Sequence, residues 1–175
     1  MRKSGLRFLL VFIIFLFSVQ SVWASYMLPY PSYLPGHRLY SLSRFYDRVM
    51  SYWYFGKIAS VRYHLQLADK YLVESRTLFE YGQYLLALDA LDRSDREFSK
   101  SLAVYLEAVS EGRDLAAVTG KLEGATDTHI RVILELVSRL PEEAVWSPEK
   151  ANSQILALHE RLSESQQIRE QAVIR

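Results

Sequence analysis

The residues that decide the fold are IASVRYHLQLADKYLVESRTLFE at 58–80 and QYLLALDALDRSDREFSKSLAVYLEAVSE at 83–111, separated by Tyr81-Gly82. In the first segment Ile58, Val61, Leu65, Ala68, Leu72, Ser75 and Phe79 alternate steps of three and four, the spacing that keeps side chains on one face of an α-helix. Tyr84, Leu88, Leu91, Phe98, Leu102, Tyr105 and Val109 form the matching seam of the second. A strict heptad would put Asp95 on that seam, whereas a 3.6-residue period puts Ser94 there. Ser94 is the expected seam residue, because an unpaired buried carboxylate is costly. Gly82 supplies the turn. At 1.5 Å per residue the two helices make an antiparallel hairpin about 35–40 Å long, within residues 57–112.

Toward the N-terminus, Leu39, Leu42, Phe45 or Tyr46, Val49 and Trp53 give one apolar face of a helix over 39–54, ended by Gly56. Residues 25–37 carry Pro29, Pro31 and Pro35 with Tyr26, Tyr30 and Tyr33 between them, which favours an extended arm. The arm's aromatics are expected to lie on the folded body rather than meet a partner. Residues 1–24 begin with Arg2, Lys3 and Arg7, continue through the apolar run Phe8–Phe17 and end in Val22-Trp23-Ala24. That is the pattern of a secretory signal peptide cut after Ala24, or of a membrane tether if it is retained.

Toward the C-terminus, Leu115, Val118, Leu122, Ala125, His129, Val132 or Ile133, Leu136 and Leu140 continue a helical period, with a break expected near Gly124. Pro141-Glu142-Glu143 starts a connector. Ser147-Pro148-Glu149 then reads as the cap and first turn of a last helix faced by Ala151, Ile155, Leu158 and Leu162, with residues 166–175 fraying. No stretch shows a strand's two-residue alternation. The expected fold is all-α: four to five helices built on the long hairpin, the last of them in 113–175, making one helical domain over 38–175 behind the Pro/Tyr-rich arm.

The 175 residues hold 21 Lys and Arg against 20 Asp and Glu, so no basic excess exists to track a nucleic-acid backbone. Loss of residues 1–24 removes three basic residues and no acidic one, leaving about −2. The absence of Cys excludes disulfides, thiolate metal sites and a Cys nucleophile. His37, His64, His129 and His159 show none of the three- or four-residue spacings that place two metal ligands on one helical face. His129 alone falls on an apolar stripe, as a hydrogen-bonded core histidine would. Asp89, Asp92, Asp95 and Glu97 are interleaved with Arg93 and Arg96, which reads as a solvated, salt-bridged face rather than as a carboxylate pair for acid–base chemistry. No nucleophile elbow, phosphate-binding loop, dinucleotide fingerprint or zinc-protease motif is present, so neither enzyme activity nor a cofactor is expected.

Aromatic density is the unusual feature. Tyr40, Phe45, Tyr46, Tyr52, Trp53, Tyr54, Phe55 and Tyr63 crowd the first helix and its junction with the second. Most are expected to pack where helices meet. Ser51-Tyr52-Trp53-Tyr54-Phe55 nevertheless points rings in every direction around a helix, so some must lie outside the seam. Tyr52, Trp53, Tyr54 and Phe55, with the flanking cations Arg48 and Lys57, are the candidate interaction surface. Exposed rings of this kind dock a protein partner, stack on a wall sugar or rest at a membrane surface.

Leu28-Pro29-Tyr30-Pro31, Leu34-Pro35-Gly36-His37, Leu39-Tyr40-x-Leu42, Arg44 and Asp47-Arg48 resemble the opening of an exported bacterial family known only as a domain of unknown function. The likeness continues through His64-Leu65, Leu67-Ala68-Asp69-Lys70-Tyr71-Leu72, Gly82-x-Tyr84-x-x-Ala87-Leu88, His129 and Leu140-Pro141-Glu142-Glu143-Ala144. Where that family usually has Asp-Pro, this chain has Gly56-Lys57. The resemblance implies export and a helical hairpin domain, and it brings no catalytic residues. Residues 68–94 also resemble one tetratricopeptide repeat, through Tyr71, Ser75, Leu78, Gly82, Tyr84, Ala87, Leu91 and Ser94, but a solenoid needs about three such units. The expected role is a non-enzymatic interaction or scaffold module of the bacterial envelope, with a protein partner or self-association. The alternative is a binding module for a lipid or small apolar ligand between the hairpin and the C-terminal helices.

Overall fold

The computed structural model describes residues 26–31, 33–51, 53–148 and 152–173. The predicted signal segment 1–24 lies outside them. The elements in chain order are α1 (Tyr40–Ser51), α2 (Lys57–Glu80), α3 (Tyr84–Ser110), α4 (Ala116–Arg139), β1 (Glu143–Trp146), β2 (Gln154–Ala157) and α5 (Leu158–Val173). The class is helical, and α2 and α3 form the antiparallel hairpin. Their turn satisfies the last carbonyls of α2 through backbone bonds from Gly82 to Phe79 and from Gln83 to Leu78. This closure needs a left-handed residue, and Gly82 has φ +68°.

Val61, Leu65, Ala68, Leu72, Ser75 and Phe79 are all buried on the α2 seam, as are Leu91, Ser94, Phe98 and Leu102 on α3. Small side chains let the backbones approach, and three seam serines use that closeness. Ser75 donates to the Ala87 carbonyl at 2.8 Å, Ser94 to Ala68 at 2.8 Å and Ser101 to Val61 at 3.0 Å. Each buried hydroxyl is therefore satisfied by the facing helix, which ties the register of one helix to the other.

The C-terminal third departs from expectation in three places. First, α4 runs unbroken through Gly124. Tyr26 of the arm lies against this glycine, and a Cβ there would sit 3.2 Å from the Tyr26 Cβ. Second, residues 143–157 contain a two-stranded ribbon, with Val145 opposite Ile155. The Ser147-Pro148 pair, read as a helix start, instead follows β1, and Ile155, assigned to a helix face, stands 67% exposed on β2. Third, α5 begins only at Leu158, where the Glu142 carbonyl accepts the amides of Leu158 at 2.9 Å and His159 at 3.2 Å. It then continues to Val173 through the segment expected to fray.

That last segment is held by a fully buried charge. Arg169 is 0% exposed and all its donor nitrogens are engaged. Nη1 donates to Asp95, to the Ser165 carbonyl at 2.9 Å and to the Ser165 hydroxyl at 2.8 Å; Nη2 donates to Ser94 at 2.9 Å. Its plane lies over Phe98, 5.3 Å from the ring centre. Arg169 Nε reaches His129 Nδ1 at 3.4 Å, while His129 Nε2 meets Asp69 at 2.7 Å, and the Tyr26 hydroxyl donates to the other Asp69 oxygen at 2.5 Å. Asp95 is therefore buried after all, beside Ser94. The argument against it failed because it assumed no partner, and the partner stands 74 residues away. His129 is the hydrogen-bonded core histidine its position on the stripe suggested.

Removing one member of a buried pair strands the other, at a cost of about 3–5 kcal/mol. Arg169→Met is expected to lower the melting temperature by roughly 10 °C, at about 2–4 °C per kcal/mol for a chain of this size. The double variant Arg169→Met/Asp95→Leu should regain most of the loss, as measured by calorimetry.

His129 Nδ1 accepts from Arg169, so the ring is neutral with its proton on Nε2. Burial holds its pKa below the ordinary histidine value. An unfolded chain takes up that proton near pH 6.5. The unfolded state thus binds more protons as pH falls, and stability present above that value is lost below it. The urea midpoint of the native chain should be lower at pH 5.5 than at pH 7.5, with a smaller difference in His129→Gln.

Candidate functional site

The first helix is built the wrong way round for a core helix. Its polar side meets the hairpin: the Tyr40 hydroxyl donates to Glu74 at 2.8 Å, Lys70 donates to Ser43 at 3.0 Å and pairs with Asp47, and the Tyr63 hydroxyl donates to the Asp47 carbonyl. Its apolar side faces out. Leu39, Leu42, Phe45, Tyr46 and Val49 are all exposed, with Phe45 at 64%. The spacing that made them one face was legible, but not that the face is unburied.

The aromatic run extends this surface. Trp53 is 71% exposed and Phe55 84%. Tyr54 stacks on Tyr63 with ring centres 4.5 Å apart, and Tyr63 is itself buried. Tyr52 lies outside the described residues. The expectation that most of the cluster packs between helices therefore holds for Tyr63 and partly for Tyr40, while Phe45, Tyr46, Trp53 and Phe55 are offered to solvent. Tyr26 likewise docks on the body, whereas Tyr30 is exposed and Tyr33 stacks on His37 at 4.7 Å.

The two candidate cations separate. Lys57 spans the open end of the hairpin, pairing with Glu107 at 2.8 Å and with Glu111, so it closes α2 onto α3 rather than reaching for a partner. Both bonds raise its pKa. Arg48 is exposed on α1 and lines a groove of about 300 Å³ between α1 and the hairpin.

The interleaved charges of α3 also fail to form one solvated face. Asp95 pairs with Arg169, Asp92 with Arg161, and Glu97 with His64 at 2.7 Å and with Lys100 at 2.7 Å. Those two bonds outweigh burial and hold Glu97 below the usual carboxylate range. Glu74 behaves oppositely. Burial pushes its pKa up, against Tyr40 and the cations Arg93 and Lys70, and its Oε2 is buried with no hydrogen-bond partner.

A second groove, of about 500 Å³, opens between α3, α4 and the end of α5, and Leu102, Leu106, Val109, Leu122 and Ala172 make it largely apolar. Among the described residues no three His, Asp or Glu side chains gather to hold a metal ion. No helix among them is long and apolar enough to cross a membrane.

A helix held by a few polar bonds opens locally at low cost. Lys70→Met/Tyr40→Phe removes four of the side-chain bonds to α1 without touching the hairpin seam. Amide exchange over 40–51 is expected to accelerate at least tenfold, while 61–75 stay as protected as in the parent.

No family model, no curated protein and no solved structure matches this chain.

Proposed function

We propose that this is an exported, non-enzymatic interaction module of the bacterial cell envelope, docking a protein partner or a second copy of itself through the outward face of α1 and the rings of Trp53 and Phe55. One observation carries the reading: α1 spends its polar residues on the hairpin and leaves five large apolar side chains in water. Burying one such side chain is worth about 1.5–3 kcal/mol, so leaving a contiguous set exposed is expensive unless another surface covers it. Interface centres favour Trp, Tyr and Phe, the residues concentrated here. The signal-like segment 1–24 and the resemblance to an exported family support the location.

A second reading has its own observation. The apolar groove between α3, α4 and α5 has the size and lining of a site for a lipid or small apolar ligand.

Placing a photocrosslinking amino acid at position 45 or 53, with position 134 on α4 as an exposed control, separates the two in cells. The docking reading expects one discrete adduct, partner or dimer, from 45 and 53 and none from 134. Equal labelling at all three positions defeats it. A native mass raised by retained lipid, in a chain that crosslinks at none of them, favours the groove instead.

A further inference from the structure

The interleaved charges of α3 look mixed along the chain and are sorted in space. At 100° per residue Asp92 and Asp95 fall on one side of the helix, toward Arg161 and Arg169 of α5. Arg93, Arg96 and Lys100 fall together on the side that faces α1. Arg44 and Arg48 of α1 line the opposite wall of the same groove.

The groove's lining holds fewer carboxylates than cations. Its only two carboxylates among the described residues are Asp47 and Glu97, held respectively by Lys70, and by His64 with Lys100. Arg93 is committed to Asp89 and to the Tyr40 hydroxyl. Neither Arg44 nor Arg96 makes a salt bridge to a carboxylate among the described residues, and Arg44 lies over the Tyr40 ring at 5.9 Å. Tyr71 also lines the groove; its ring is buried and its hydroxyl makes no hydrogen bond among the described residues. Burial and the nearby Asp47 push its pKa up to about 12, so it remains a neutral donor.

We propose that this groove binds a phosphate-bearing ligand, its anionic oxygens taken by the guanidinium groups of Arg44 and Arg96 and by the Tyr71 hydroxyl. Guanidinium groups present paired N–H donors that match phosphate oxygens, and a phosphate has enough acceptor oxygens to use two of them and a hydroxyl at once. A volume near 300 Å³ exceeds a bare phosphate and leaves room for the alcohol that carries it. That alcohol belongs either to a lipid headgroup or to a water-soluble phosphate ester. The site is separate from the apolar face of α1, so it stands or falls independently of the docking reading.

Thermal unfolding of the full chain is compared in inorganic phosphate, in succinate and in chloride at equal ionic strength. Cosedimentation is measured with phosphatidylglycerol and phosphatidylcholine vesicles. The proposal expects a rise in midpoint with phosphate alone, since binding to the native state adds stability. Affinity should fall at least about tenfold in Arg44→Gln/Arg96→Gln, and roughly 2- to 10-fold in Tyr71→Phe, which keeps the ring. Both arginines are exposed and unpaired with acids, so the double variant should fold, as circular dichroism checks. Phosphatidylglycerol binding that phosphate reverses and the double variant loses names a headgroup. A phosphate effect without vesicle binding names a soluble ester. The proposal is overturned if succinate works as well as phosphate, which would point to an acidic protein instead. It is equally overturned if the effects survive in the double variant, or if neither phosphate nor phosphatidylglycerol binds.

Discussion

The mutual placement of the arm and of α2 to α5 depends on one guanidinium being taken out of water. An unpaired charge in that position would cost several kcal/mol, and Arg169 escapes the penalty only because Asp95 and Ser94 of α3, His129 of α4 and Ser165 of α5 meet its donors together. His129 must then be neutral, donating its Nε2–H in a hydrogen bond to Asp69 of α2, and Asp69 has a second oxygen left for Tyr26. Four helices and the arm are thus joined through one connected set of bonds. Apolar seams alone tolerate slippage, since a shift of α5 by one turn, about 5.4 Å, exchanges one apolar contact for another. The same shift would leave Arg169 facing hydrocarbon, so the polar network sets the register that the apolar packing only stabilises.

The first helix obeys the opposite rule. It contributes none of the members of that network, and the bonds that hold it are the polar ones from Tyr40, Ser43 and Asp47. A small protein that needs apolar burial for stability could have rolled this helix by about a third of a turn to cover Phe45 and Leu42. Tyr40, Lys70 and Tyr63 prevent the roll. The body of the molecule is therefore fixed by a network that admits one arrangement, while Leu42, Phe45, Tyr46 and Val49 stand exposed together on an element held by a few bonds.

How much of this the sequence disclosed follows from what periodicity can and cannot see. Steps of three and four identify which residues share a face, so the α2–α3 hairpin, the Gly82 turn and the core position of His129 were legible. Periodicity does not say what a face meets, and that is why the apolar side of α1 was read as a packing surface. Charged residues on a seam are discounted because burial without a partner is costly; Asp95 was passed over for that reason, and Arg169 was placed in a fraying tail. Both judgments follow correctly from a premise that a contact 74 residues away removes. The β1–β2 ribbon escaped because each strand has only four residues, too few for an alternation to register, while Ser147-Pro148 carries the same punctuation at a helix start and at a loop.

Net charge misleads in the same way as net hydrophobicity. A chain with 21 basic and 20 acidic residues suggests no preference for an anion, yet its field is set by which charges face which neighbours. The helical period of α3 turns Asp92 and Asp95 inward toward the arginines of α5 and leaves Arg93, Arg96 and Lys100 on the flank beside α1. The acids are spent on stability, two of them neutralising Arg161 and Arg169. Of the cations beside them, Arg93 and Lys100 turn to Asp89 and Glu97, and Arg96 is left at the surface of the groove. Burying a carboxylate against a distant arginine therefore does two things at once: it fixes α5, and it leaves positive charge on the adjacent flank of the same helix.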